Sequence, residues 1–180
     1  MNFTHRGRFT IAKLISGGFF AAASAFFVLS ETPLANGSTS SGEASPIFGV
    51  KIPDGYRRWE VIAPAEESEP LNELRIVLGN PAALKAFKDA TLPFPDGTTL
   101  VKLAWKRTQS TESPPAFVPG QATTVQVMVK DSKRYASTGG WGFGRFIDGR
   151  PVDEAQHQTC FACHQARVIN HDYVFTRLAP

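Results

Sequence analysis

Apolar and polar residues alternate through the middle of the chain. Within Thr98–Arg107, Val101, Leu103 and Trp105 fall on one side and Lys102, Ala104 and Lys106 on the other. That period of two belongs to a strand with one buried face. Val125, Val127 and Val129 oppose Gln126, Met128 and Lys130 in the same way. Glu73–Leu78, apolar but for Arg75, and Trp141–Ile147 read as further strands, and Tyr56–Ile62 as a short helix leading into a strand. After Asn80-Pro81 the spacing lengthens. Leu84, Phe87 and Lys88 give one apolar face with a charged edge, which predicts a helix through about Ala90 with Asn as its N-cap and Pro in its first turn. Asp131 or Ser132 caps a shorter helical turn ending at Tyr135. Turns fall at Pro53-Asp54-Gly55, Pro93–Gly97, Gly139-Gly140 and Asp148–Pro151, and a Pro-rich loop covers Ser113–Gly120. Strands with few helices between them predict an α+β domain: mainly antiparallel β-sheet with a few short helices.

The N-terminus follows other rules. Arg6, Arg8 and Lys13 precede an uncharged run, Leu14–Leu29, which is followed by small residues and Pro33. This is the layout of a secretory signal peptide, and cleavage after Ala35 or after Ser30 both fit. The run is shorter than the roughly twenty residues that span a bilayer, so a cleaved signal is preferred to an anchor. The expected organisation is therefore a signal peptide at 1–35, a flexible linker at 36–46 rich in Ser and Gly, and one folded domain at 47–180. Periplasmic localisation follows. Of the 19 basic and 16 acidic residues, the leader takes Arg6, Arg8, Lys13 and Glu31. The remaining 16 against 15 give a net charge of +1, with no basic stripe of the kind that binds nucleic acid.

Cys160-Phe161-Ala162-Cys163-His164 carries the chemistry. C-x-x-C-H is the attachment sequence of a c-type haem: two thiols three residues apart can each bond one vinyl group of a porphyrin, and the next residue can bind the iron through its imidazole. Two other readings compete. A zinc site needs four ligands, and these are the chain's two cysteines, with no histidine at finger-like spacing. A redox C-x-x-C opens a helix after a strand in a βαβ unit, and no such unit is visible. One covalently attached haem c per chain is expected, bonded to Cys160 and Cys163, with His164 on the iron and the haem packed near this C-terminal segment. Electron-transfer cytochromes c are mostly helical and carry the motif near the N-terminus; here it follows a sheet.

Several segments in order resemble the cytochrome P-460 family, which includes the cytochromes c′-beta. They are Tyr56-Arg57-Arg58-Trp59, Leu74-Arg75-Ile76-Val77, Phe94-Pro95-Asp96-Gly97-Thr98-Thr99-Leu100-Val101-Lys102, Val129–Tyr135, Trp141–Phe146, the haem motif, and His171–Thr176. The resemblance implies a mainly antiparallel fold, a homodimer, and a five-coordinate haem with an open distal side. In P-460 members a lysine is also joined to a meso carbon of the porphyrin, and hydroxylamine is oxidised through iron-bound nitric oxide to nitrous oxide or nitrite, with an external cytochrome as electron acceptor. The c′-beta members lack that bond, have a more apolar distal pocket, and bind nitric oxide or carbon monoxide.

By that resemblance Lys102 is the cross-linking lysine, although strand alternation alone puts it on a solvated face with Lys106. Arg75 resembles a distal arginine that would hydrogen-bond an iron ligand or a haem propionate; the alternative is a surface ion pair with Glu73 or Glu69. Glu154, six residues before Cys160, is the expected general base; the alternative is an ordinary exposed acid beside Asp153. Gln126 departs from the family, whose cross-linked members tend to carry a glutamate there. His157 and His171 are read as surface or structural histidines rather than a sixth ligand, and Met128 as a packing residue. Phe87, Phe94 and Phe117 are candidates for an apolar distal cap. Three functions are weighed: hydroxylamine oxidation, gas binding of the c′-beta kind, and electron transfer.

Overall fold

The computed structural model describes residues 42–180. The expected signal peptide at 1–35 and the first part of the linker lie outside them. The described chain forms one six-stranded antiparallel sheet in which each strand pairs with the one before it. The strands are β1 (Glu60–Glu67), β2 (Glu73–Gly79), β3 (Thr99–Gln109), β4 (Phe117–Lys130), β5 (Trp141–Ile147) and the two-residue β6 (Arg150–Pro151); the helices are α1 (Pro81–Lys88) and α2 (Glu154–Val168). The expected α+β class is what the structure has.

Local chemistry accounts for most boundaries. Asn80 caps α1, its side chain accepting from the Ala83 N–H at 2.9 Å, and Pro81 sits in the first turn where its missing N–H costs nothing. β1 lies at the sheet edge, which is where Pro64 can be accommodated, and its exposed Glu60, Glu66 and Glu67 discourage pairing with another chain. Two strands exceed their sequence reading. β1 runs on to Glu67, and β4 begins at Phe117, inside the stretch expected to be a Pro-rich loop. The β3–β4 ladder extends to Gln109↔Phe117, and Pro119 is admitted beside a shift of register between Trp105 and Arg107.

Register fixes what faces what. Val77, Lys102, Gln126 and Arg145 are successive partners across β2, β3, β4 and β5, so their side chains share one face. The core includes Ile62, Leu78, Val101, Leu103, Val127, Trp141, Phe143 and Phe146. Beyond the short β6, the open edge of β5 is closed by side chains. Ser45 Oγ donates to the Phe143 carbonyl at 2.9 Å, and the Arg145 N–H donates to Nε2 of His157 at 3.1 Å. Packing therefore already involves Ser45, near the end of the expected linker.

Phe146 is 1 % exposed. Phe146→Ala is expected to destabilise the domain by about 3–5 kcal/mol, the range for emptying a buried aromatic site. Urea unfolding followed by circular dichroism measures it; a loss below ~1 kcal/mol would show that the site collapses around the gap.

Candidate functional site

The haem motif lies on α2. Asp153 caps this helix, accepting from the Gln156 N–H at 2.8 Å, and Glu154 occupies its first turn, where a carboxylate suits the helix dipole. His157, Cys160, Phe161, His164 and Val168 recur at helical spacing and are the less exposed positions of α2. His157 docks that face. It is wholly buried, Nδ1 donating to the Asp153 carbonyl at 2.9 Å while Nε2 accepts the Arg145 N–H. Both nitrogens are occupied, so His157 is structural, as the sequence reading preferred.

Cys160 and Cys163 are free thiols, the first half-buried and the second exposed. One helical turn separates them, which places both sulfurs on one side of α2. Burial pushes the Cys160 thiol pKa up, against a smaller pull from Arg145. His164 follows directly. Its Nδ1 lies 2.7 Å from the Tyr173 carbonyl, so Nδ1 carries the proton and Nε2 is left as a lone-pair donor. Burial lowers the His164 pKa, partly offset by this hydrogen bond, and favours the neutral imidazole that metal binding requires. The ring is wedged edge-on between Phe143 and Phe175, at centroid distances of 5.1 and 4.9 Å. Phe143 is two residues from Arg145 on β5, so α2 stands over the sheet face that carries Lys102.

That face is cationic. Lys102 is mostly buried and its amine pKa is lowered to about 8, first by desolvation and then by the charge of Arg75, with a smaller contribution from Arg145; Glu73 and Cys160 pull the other way. Arg75 is held by two carboxylates: Nε and an NH2 group reach Glu73 at 2.9 and 2.7 Å, and its other arm pairs with Glu67. Thr123 steadies Glu73 from β4 at 2.7 Å. Of the two partners weighed from sequence, Glu73 forms the ion pair, and the second carboxylate is Glu67 rather than Glu69. Burial and the neighbouring Arg145 lower the Arg75 pKa. Gln126, directly across from Lys102, donates to Thr124 at 3.2 Å. Glu154 is exposed, with the Gln158 amide on its carboxylate at 3.3 Å. Phe87 and Phe94 pack against each other, and Phe94 also against Trp141 and His171, so both belong to the core around the C-terminal segment; Phe117 is exposed on the β3–β4 hairpin beneath Arg107.

Sequence reasoning passed over Arg145. It interrupts the apolar Trp141–Ile147 as Arg75 interrupts β2, and that interruption was the available signal. Its Nε is buried without a hydrogen-bond partner. A buried guanidinium nitrogen left unpaired beside Lys102 and Arg75 calls for an anion. These features fit a haem: two thiols for the vinyl groups, an imidazole with a free Nε2, an aromatic wall of Phe143, Phe161 and Phe175, and cations suited to propionates.

No curated protein sequence matches the chain. A protein-family model, described as Cytochrome P460, matches residues 53–176, from the first turn before β1 to the segment that holds His164. The chain belongs to the cytochrome P460 family, and a haem is its implied cofactor.

Proposed function

We propose that this protein is a periplasmic c-type haem enzyme that oxidises hydroxylamine, with Lys102 bonded to the porphyrin edge. The observation that carries the reading is the state of Lys102: a partly buried, desolvated lysine with its amine pKa lowered to about 8, on the sheet face beneath the helix that bears Cys160. A neutral amine is the nucleophilic form that a bond to the porphyrin would require, and desolvation beside two guanidinium groups supplies it near neutral pH. Cys160 and Cys163 would hold the haem by its vinyl groups and His164 would bind the iron. The haem would supply the electron-accepting centre, and an external cytochrome would take the electrons onward.

The remaining residues orient and move protons. Arg75, held by Glu73 and Glu67, keeps a fixed positive charge near Lys102, suited to orienting a small polar substrate. Arg145, whose Nε is buried and unpaired, would hold a propionate. Hydroxylamine loses protons as it loses electrons, and Glu154, on the same helix as the thiols, is assigned to accept them. The leader supports export, and the family resemblance supports a homodimer. The c′-beta-like reading, binding of nitric oxide or carbon monoxide without turnover, is favoured by one observation. Gln126 is the cross-strand partner of Lys102, and an amide cannot take the proton that a glutamate there would accept.

Attachment is tested first. Cys160→Ala with Cys163→Ala should abolish the haem stain on a denaturing gel, whereas His164→Ala should keep the stain and alter the axial ligation. A stain that survives loss of both thiols rejects the assignment.

Lys102 and Glu154 separate catalysis from gas binding. Lys102→Ala should convert a red-shifted absorption band to that of an ordinary c-type haem and abolish hydroxylamine-dependent reduction of an artificial acceptor, while nitric oxide still binds. Glu154→Ala should keep the spectrum and slow turnover by ~10²–10⁴-fold, the usual worth of general-base help. Inactive wild-type protein with an ordinary spectrum unchanged by Lys102→Ala would leave the gas-binding reading in place.

The amine itself has a pH signature. Its folded-state pKa of about 8 lies below the ordinary 10.5, so between these values the unfolded chain holds a proton that the folded chain does not. Stability then rises with pH across that window, and the gain is lost as pH falls through the folded value. In the Cys160→Ala/Cys163→Ala background, where no porphyrin is bonded, the urea midpoint should climb with pH relative to the same chain carrying Lys102→Met. A difference that stays flat from about 8 to 10.5 would show that the amine is not desolvated.

A further inference from the structure

A buried charge pair sits behind the haem motif and takes no part in the chemistry above. Lys130, the last residue of β4, places Nζ 2.7 and 2.8 Å from the two carboxylate oxygens of Asp172 and 3.0 Å from the Gly139 carbonyl. The two side chains are 6 % and 9 % exposed. The same carboxylate accepts the Phe94 N–H at 2.8 Å, and the indole N–H of the wholly buried Trp141 donates to the Asp172 carbonyl at 2.8 Å. Asp172 is thereby fixed from three sides: the end of β4, the start of β5 and the loop before β3.

The residue so fixed adjoins the group that orients His164. Asp172 and Tyr173 both have left-handed backbones, φ 46° and 63°, although neither is glycine. Successive left-handed residues with side chains persist only where their surroundings over-determine them. The Tyr173 carbonyl is the acceptor for Nδ1 of His164 at 2.7 Å. Gly139 lets the Tyr173 ring approach; a Cβ there would lie 2.1 Å from it. A buried ion pair contributes little to stability compared with apolar residues of the same volume, so its presence here is better explained by the geometry it imposes.

We propose that Lys130 and Asp172 are positioning residues for the axial histidine, holding the Tyr173 carbonyl on Nδ1 of His164 and so setting the donor strength of Nε2. This rests on the reading of His164 as the iron ligand. The strength of the Nδ1–H···O=C bond determines how much imidazolate character the ligand has, and with it the iron–histidine bond and the reduction potential.

The test uses the haem-loaded protein and the variant Lys130→Met/Asp172→Asn. Asparagine tolerates the left-handed conformation and keeps an oxygen for the Phe94 N–H, and no charge is left buried alone. Circular dichroism and haem content should match wild type. The iron–histidine stretch of the ferrous protein, read by resonance Raman, should move to lower frequency and broaden, and the midpoint potential should rise. Trp141→Phe removes the indole donor to Asp172, together with part of the packing against Phe94, while leaving the Lys130–Asp172 pair in place, and should shift both readouts in the same direction by less. If the double variant does not accumulate, Trp141→Phe carries the test alone. A wild-type band that keeps its position and potential in the folded variants overturns the proposal. Absence of any iron–histidine band in the wild type overturns the axial-ligand reading, and this proposal with it.

Discussion

The site depends on the pairing register of β2, β3, β4 and β5. Strand side chains alternate between faces, so a slip of one residue in β3 would send Lys102 to the opposite face and bring Val101 or Leu103 beneath α2. The register is pinned by the apolar set on that opposite face, where Val101, Leu103, Val127 and Phe146 are buried together. The hydrophobic core thus places a row of polar side chains. Lys102, Gln126 and Arg145 fall in line, beside the buried Val77, because their neighbours along each strand must be buried.

The electrostatic character of that row follows from the same constraint. Three cations stand close together on one sheet face, where Arg75 and Arg145 add to the desolvation that lowers the Lys102 pKa, and Glu73 and Glu67 answer Arg75. Mutual repulsion and desolvation both act on Lys102, the one cation of the three that can give up its proton near neutral pH. Desolvation is the larger cause, and the two arginines add to it because neither guanidinium can relieve the repulsion by deprotonating.

Much of this was legible in the sequence, and the gaps have physical causes. The strands around Lys102 and Gln126 obey the period of two, α1 announces itself through Asn80 and Pro81, and the thiols and His164 form a motif whose spacing is its chemistry. The fifteen-residue α2 was not legible as a helix, because the residues it turns inward, His157, Cys160, Phe161 and His164, do not make an apolar stripe. Its inner face is adapted to the β5 edge and, by the family assignment, to a cofactor. The early start of β4 was hidden by Pro119, a residue that ordinarily argues against a strand. Lys130 shows the limit of alternation: it reads as a solvated lysine, and its burial depends on Asp172, forty-two residues away. Arg75 was ambiguous for a related reason, since charge pairing across strands cannot be read from one strand.

The meander also orders assembly in time. Each strand pairs with its predecessor, so contacts between neighbours in sequence complete the sheet once Pro151 is available, and the longest connection to close is the one between β2 and β3 that carries α1. The helix with Cys160 and Cys163 comes afterwards, and it joins the body through long-range ties: His157 to β5, and Asp172 to Lys130 and Trp141. A chain emerging from its N-terminus can therefore hold a nearly finished sheet while its two thiols are still on an undocked segment. On the proposed reading of the thiols as haem attachment sites, that is the state in which both sulfurs would be within reach of the vinyl groups, before Cys160 is half-buried against the cationic face.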